Sequence, residues 1–348
     1  MKKNGFSVNK TQNYSNFAAM KKIIIILLTI ISAMPVIAQS KGKRFIHRVD
    51  SVLSNKYHKV AYDTMYISRP VGKLTLKVRV NLSGNEIKSK GKTDSGEIYK
   101  SNLKTDSRAT LSVSASYMGV SAGLALNPAK LAGKDKDYEM NINAYSNMFG
   151  VDASYQASKT LSGTFKQGDR SVYLEEGEVD LEVMNLSAQY VFNYKKFSYP
   201  AAFAQSMIQK RSAGSVLAGI SYQGGRLKYP GDPEKGMPKL SMHVNNFALG
   251  VGYGYNWVVD KHWLFHLSVL PTLIVINRNR TDINDERRHE NYNIREGIFN
   301  ERIAIVYNIN PRYFISATGI GTLMVYKKSE TRFTQDKWLS HISFGMRL

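Results

Sequence analysis

Two short patterns in this sequence could present a nucleophilic serine. His266-Leu267-Ser268 and His341-Ile342-Ser343 each set a histidine and a serine one residue apart. On an extended strand, residues two apart share a face, so each imidazole lies beside its hydroxyl, where it can take the serine proton. A barrel enzyme that cleaves lipid would need such a pair. The flanking residues set the phase. Phe265, Leu267 and Val269, and likewise Ile342, Phe344 and Met346, make the apolar face. Both pairs therefore point to the opposite, polar face, away from lipid, and catalysis is not expected of either.

Other chemistry has less to stand on. The chain has no cysteine, and its seven histidines are dispersed, so no cluster has metal-ligand spacing and neither metal nor cofactor is expected. Asp282, Asp285, Glu286 and Glu290 share a loop with Arg278, Arg280, Arg287 and Arg288, which reads as mutual ion pairing rather than a calcium site. The glycines of GVGYGYNW, at 250, 252 and 254, alternate as on one face of a strand and do not form a phosphate loop. Lys77, Arg79, Glu139, Asp152, His266 and Arg347 all fall on polar phases. Together they predict a mixed-charge interior, either a plug of internal ion pairs or a lined pore.

Those side chains need strands to hold them. Leu74 to Leu82 (LTLKVRVNL) alternates strictly, with Leu74, Leu76, Val78, Val80 and Leu82 on one face and Thr75, Lys77, Arg79 and Asn81 on the other. Similar segments follow at 109–117, 120–127, 138–146, 149–156, 181–192, 213–223, 245–258, 262–276, 294–308, 313–326 and 338–348. The connections alternate between tight turns, such as Met118-Gly119 and Asp260-Lys261, and long polar stretches at 83–108, 128–137, 157–180, 224–244, 277–293 and 327–337. Short turns on one side and long loops on the other are the pattern of a membrane barrel. The fold class is thus all-β: an antiparallel transmembrane β-barrel of about 12 strands, between 10 and 14 if one pair is missed or split. Tyr255, Trp257, Trp263 and Phe265 flank one tight turn on the lipid-facing phase, as an interfacial girdle would.

Before the strands, Lys21 and Lys22 precede the apolar run Ile23 to Ile31, and Val36 and Ala38 sit where a signal peptidase reads small residues. Residues 1–38 read as a cleaved signal peptide, with Met20 as an alternative start. Residues 39–73 read as a periplasmic segment with a short amphipathic helix from Arg44 to Tyr57, and 74–348 as the outer-membrane barrel. Both barrel termini are expected in the periplasm. The full chain carries a net charge of +21; five lysines and no acid precede Gln39, leaving +16 for the exported part. An exported basic surface suits outer-membrane lipid and lipopolysaccharide or small anionic solutes, and no nucleic acid. Folding would use the barrel assembly machinery, since the last strand (HISFGMRL) resembles an assembly signal with Leu348 in place of the terminal aromatic.

One connection breaks the alternation. Lys195 to Ser212 (KKFSYPAAFAQSMIQKRS) is long yet falls on the short-turn side. Ser198 could cap a short helix with Pro200 in its first turn and Phe203 and Met207 on one face. The segment is either a periplasmic helix, an additional strand pair, or a constriction folded into the barrel mouth. The constriction candidates are Ser198, Tyr199, Pro200, Gln205, Gln209, Lys210 and Arg211, beside Lys77, Arg79, Glu139 and Asp152. The blocks DTMYISRP, GVSAGLALNPAKLAGKDKDYEMN and FSYPAAFAQSMIQKRSAGS resemble the exported family catalogued as domain of unknown function 4421. That resemblance implies an outer-membrane barrel and supplies no activity, substrate or site residue. The expected role is a narrow solute channel or structural envelope protein. The alternatives are a lipid- or lipopolysaccharide-modifying enzyme using His266/Ser268 or His341/Ser343, and a surface adhesin or assembly partner.

Overall fold

The computed structural model describes residues 62–70, 72, 74–92, 96–117, 120–126, 137–289, 296–328 and 331–348. The chain divides into two units, Met1–Val60 and Ala61–Leu348, and all described residues belong to the second. The expected signal peptide, the Arg44 to Tyr57 helix and the Met118-Gly119 turn lie outside the described residues. Among the described residues, no helix is long and apolar enough to cross a membrane.

Seventeen strands are described: β1 (Ile67–Ser68), β2 (Leu74–Lys92), β3 (Ile98–Lys104), β4 (Arg108–Tyr117), β5 (Val120–Leu126), β6 (Tyr138–Tyr145), β7 (Phe149–Gln167), β8 (Arg170–Val191), β9 (Ile208–Gln209), β10 (Ala213–Tyr229), β11 (Leu240–Val259), β12 (Trp263–Asn277), β13 (Arg280–Ile283), β14 (Glu286–His289), β15 (Gly297–Asn308), β16 (Tyr313–Lys328) and β17 (Thr331–Arg347). Antiparallel pairing links β2, β4, β5, β6, β7, β8, β10, β11, β12, β15, β16 and β17 in chain order, and β17 closes on β2. These twelve correspond one to one with the alternating segments of the sequence. At one end Leu74 and Leu348 exchange backbone hydrogen bonds, so the barrel begins and ends side by side. We call this the turn end, because tight turns join β6 to β7, β11 to β12 and β15 to β16 there. At the opposite, hairpin end, β3 pairs with both β2 and β7 and bypasses β4, β5 and β6. The ring narrows there from twelve strands to ten.

The long polar connections expected from the sequence are in large part strand. β2 continues to Lys92, β7 to Gln167, β10 to Tyr229 and β17 from Thr331, and residues 280–289 form the β13–β14 hairpin rather than a loop. The reason is an exchange of polarity along each strand. Near the turn end the outward residues are apolar, including Val78, Val80, Leu82, Val251, Leu267, Ile303, Ile342 and Phe344, all exposed. Tyr255 and Trp257 (4.7 Å) and Trp263 and Tyr307 (4.6 Å) pack as an aromatic rim on this belt. Toward the hairpin end the phase continues but the outward residues become charged, as at Arg226 and Lys228. The inward ones become apolar: Ile87, Leu161, Leu181, Leu227, Ile274, Ile298, Met324 and Phe333 form a buried core across the lumen. Each fully buried side chain of this size contributes roughly 1.5–3 kcal/mol, so the extensions fold like a soluble barrel.

Candidate functional site

The irregular connection between β8 and β10 enters the lumen at the turn end. It opens where Asn193 donates its side-chain amide to the Gly214 carbonyl (2.8 Å) and its backbone N–H to Ser215 Oγ (2.9 Å). The expected helix is a single π-helical turn, Pro200–Ala204, all five residues buried. Pro200 suits its first turn, and Gln205 ends it in the left-handed conformation at φ 54°. Ser198 Oγ accepts from the Ala201 N–H at 3.3 Å. Phe197, Tyr199 and Ala202 have no exposed surface. β9 then leads the chain back out by pairing with β1 (Ile67 with Gln209, Ser68 with Ile208).

A directional chain of hydrogen bonds holds this plug to the wall. Tyr199 donates to Ser268 Oγ at 2.9 Å. Asn256 must present its amide nitrogen to the Ser198 carbonyl (3.1 Å), because a carbonyl oxygen only accepts, and it reaches Gln209 Oε1 as well (3.0 Å). Its Oδ1 therefore accepts from His266 Nδ1 (2.7 Å), which leaves Nε2 to accept the Ser268 proton (2.9 Å). Gln209 completes the chain by donating to the Lys196 and Arg211 carbonyls.

Asn256, His266 and Ser268 thus have the donor order of a serine nucleophile with its base and orienting amide. They lack room for a substrate. Ser268 is 2 % exposed and His266 1 %, and the imidazole is enclosed by Phe197, Tyr199 and Phe203, with ring centres 5.0–5.8 Å away. Gly254, opposite Ser268, makes this packing possible: a Cβ there would stand 3.1 Å from Phe197 Cζ and 3.0 Å from Ser268 Cβ. The second pair does not assemble at all. His341 Nδ1 bonds Asn81 Oδ1 (2.7 Å) and Ser343 bonds Ser316 (2.6 Å).

Cations clamp the other side of the plug. Lys77 Nζ, fully enclosed on β2, donates to the Phe203 and Ala204 carbonyls (both 3.2 Å) and to Gln205 Oε1 (2.9 Å). Arg347 donates to the Gln205 carbonyl (3.0 Å) and to Asn308 Oδ1 (2.8 Å) while lying over the Phe314 ring. Together they take the carbonyls that the short turn leaves without partners. Asp152 pairs with Arg302 and accepts from Tyr145, whose ring stacks on Tyr199. Glu139 lies beside Arg108 and Lys337 and accepts from Ser83 (2.7 Å). Arg79 follows Lys77 on the same inward phase of β2.

Two expected constriction residues are elsewhere. Lys210 and Arg211 are exposed at the turn end, where Lys210 Nζ reaches the Thr64 carbonyl (2.7 Å) and Arg211 lies near the Tyr66 ring. The β1–β9 pair has already carried the chain outside the lumen at this point. Conversely, Asn256, Tyr145, Arg302 and Asn147, whose Oδ1 accepts from Ser198 Oγ (2.9 Å), belong to the site and are not among the site residues expected from the sequence. Asn256 lies on the polar phase of β11, but its place opposite His266 follows from strand register.

Between the plug and the apolar core the lumen is filled by side chains. Gln223, Gln335, Asn85 and Gln156 bond in series at 3.0–3.4 Å, joining β10, β17, β2 and β7 across the interior. Two spaces within it are about 50 Å³ beside Asp152, Asn300 and Lys337, and about 20 Å³ beside Gln223 and Leu227. Neither is a continuous path. Among the described residues, no group of three metal-binding side chains is placed to hold an ion. Outside the barrel at the hairpin end, Lys235 bonds the Glu178 carboxylate and holds it below the usual carboxylate range, closing the 230–239 hairpin.

The family model for Domain of unknown function (DUF4421) matches residues 61–347, nearly the whole described unit. The chain belongs to this family. No curated protein matches it. Solved structures that are similar include the outer membrane protease OmpT from Escherichia coli (6% identity, TM-score 0.43, 80% of this chain and 97% of that one). Others are the COG4313 outer membrane channel from Pseudomonas putida F1 (12%, 0.32, 83% and 100%) and OprG from Pseudomonas aeruginosa (13%, 0.28, 82% and 99%). Likenesses at these scores transfer no activity to this chain.

Proposed function

We propose that this family member is an outer-membrane barrel that is closed at rest and serves as a structural component of the envelope. The turn end faces the periplasm and the hairpins face outward. The apolar belt with its aromatic rim supports the membrane placement. The observation that carries closure is the double seal, a hydrogen-bonded plug at the turn end and an apolar core at the hairpin end. Planar-bilayer recording of the refolded chain tests it: wild type should be silent, and steady conductance from folded barrels would refute closure.

The pairing of β1 with β9 favours a second reading, a gated barrel. Traction on the segment before β1 would act directly on the plug through two paired residues and the Asp63 N–H bond to the Lys195 carbonyl (2.8 Å). Deleting residues 62–70 would then raise the exposure of plug residues to reagents added from the turn end. An unchanged plug would remove this reading.

A further inference from the structure

We propose that the outward face of β8, β10, β11 and β13, just beyond the apolar belt, binds a phosphorylated glycolipid of the outer leaflet. The inference rests on the outer-membrane reading above. Strand register sets Arg226, His243 and Arg280 side by side on consecutive strands, and one row further out Lys228 beside Ser241. Side chains directly opposite on paired strands stand about 5 Å apart, so these cations form one patch. Lys228, Ser241, His243 and Arg280 line a cavity of about 800 Å³ that Asp180, Asp282 and Asp285 also border.

The patch is only partly neutralised from within, since Asp180, opposite Lys228 in register, pairs with Lys159 (3.4 Å). Glu182 takes Arg226 (2.8 Å) and Asp282 takes Arg280 (3.1 Å), but Lys228 has no ion pair among the described residues. Burial, then the Arg280 charge, hold the His243 pKa below its ordinary value against the opposing Asp282 carboxylate, with Arg226 and Lys228 adding to the effect. Among the charges around the imidazole the three cations outweigh Asp282, so the local field is positive.

Position selects a membrane lipid over a soluble anion. On β10 the belt ends at Tyr222, and Arg226 follows four residues later, about 13 Å along the strand and about 10 Å along the bilayer normal at ordinary barrel tilt. That is the height of headgroup phosphates when acyl chains lie against the belt. Phosphate suits Lys228 and the guanidinium forks, while Ser241 and the neighbouring carboxylates suit sugar hydroxyls.

The full-length protein in phosphatidylcholine nanodiscs should retain lipid A at least about tenfold more tightly than dephosphorylated lipid A. Lys228→Gln with Arg280→Gln should remove that preference, and the exposed Lys228→Gln alone should reduce it without disturbing the fold. Inorganic phosphate at millimolar concentration should not displace the lipid. Equal retention of the two lipids, no effect of the variants, or displacement by inorganic phosphate would each overturn the proposal. A chain that inserts yet shows no preference refutes this site alone, whereas one that fails to insert refutes the membrane placement and this site with it.

Discussion

Asn256→Ala tests the plug at the point where most of its bonds meet. The substitution removes the hydrogen bonds to the Ser198 carbonyl, to Gln209 Oε1 and from His266 Nδ1. Three net hydrogen bonds are worth about 3 kcal/mol, and the buried imidazole N–H left without an acceptor adds about 1–3 kcal/mol. Plug docking should weaken by about 4–6 kcal/mol, which multiplies the undocked population by at least about a thousandfold. The chain has no cysteine, so Ala202→Cys supplies a single thiol at a site with no exposed surface. Its labelling by a membrane-impermeant maleimide should be negligible in the parent and rise by a comparable factor with Asn256→Ala, because labelling through local opening follows the open population. Tyr199→Phe, which removes one bond, should raise it by less than about tenfold. Unchanged labelling in a folded Asn256→Ala barrel would refute the plug energetics.

The other seal should respond independently. Ile274→Ala, in the apolar core, should cost about 2–5 kcal/mol of global stability, lowering the unfolding midpoint without changing Ala202→Cys labelling; a rise in labelling would mean the two seals are coupled. Ser268→Ala should leave fatty-acid release from phospholipid unchanged, at background in both forms, and any activity that vanishes with Ser268 would reinstate a hydrolase. The Glu178 clamp should depend on pH. Its folded pKa is depressed by Lys235, so the clamp is fully present above the unfolded carboxylate value of about 4.3 and is lost as pH falls through the lower folded value. Protease cleavage in the 230–239 hairpin should therefore rise as pH falls in the parent and depend less on pH in Glu178→Gln, where Lys235 keeps its Asp232 contact (3.5 Å); the same profile in both would refute the clamp.

Period-two alternation made the barrel readable, since Leu74 to Leu82 or His262 to Ile276 must place every second residue against lipid. It could not reveal where strands end. Residues such as Ile87 and Leu227 keep the phase but invert its polarity outside the belt, and a rule keyed to outward apolar residues reads that inversion as a loop. The Lys195 to Ser212 segment announced itself by violating the alternation of turn lengths. Its form did not follow, because Pro200 and Ser198 suit the start of any helix, while the Lys77 and Arg347 bonds to the Phe203, Ala204 and Gln205 carbonyls are made across the barrel by distant strands.

The sequence alone thus determined a count of about twelve and the order and facing of the strands around the belt, because these depend on local alternation and on short connections between neighbours; it did not show β3, β13 or β14. Tertiary structure decided the rest. His266 and Ser268 are adjacent on any strand, yet whether they form a nucleophile depends on what stands over them. Asn256 reaches them through the register of β11 with β12, and Phe197, Tyr199 and Phe203 reach them across nearly seventy residues of chain. Packing over that separation turned a pattern suited to catalysis into a buried hydrogen-bonded contact between plug and wall.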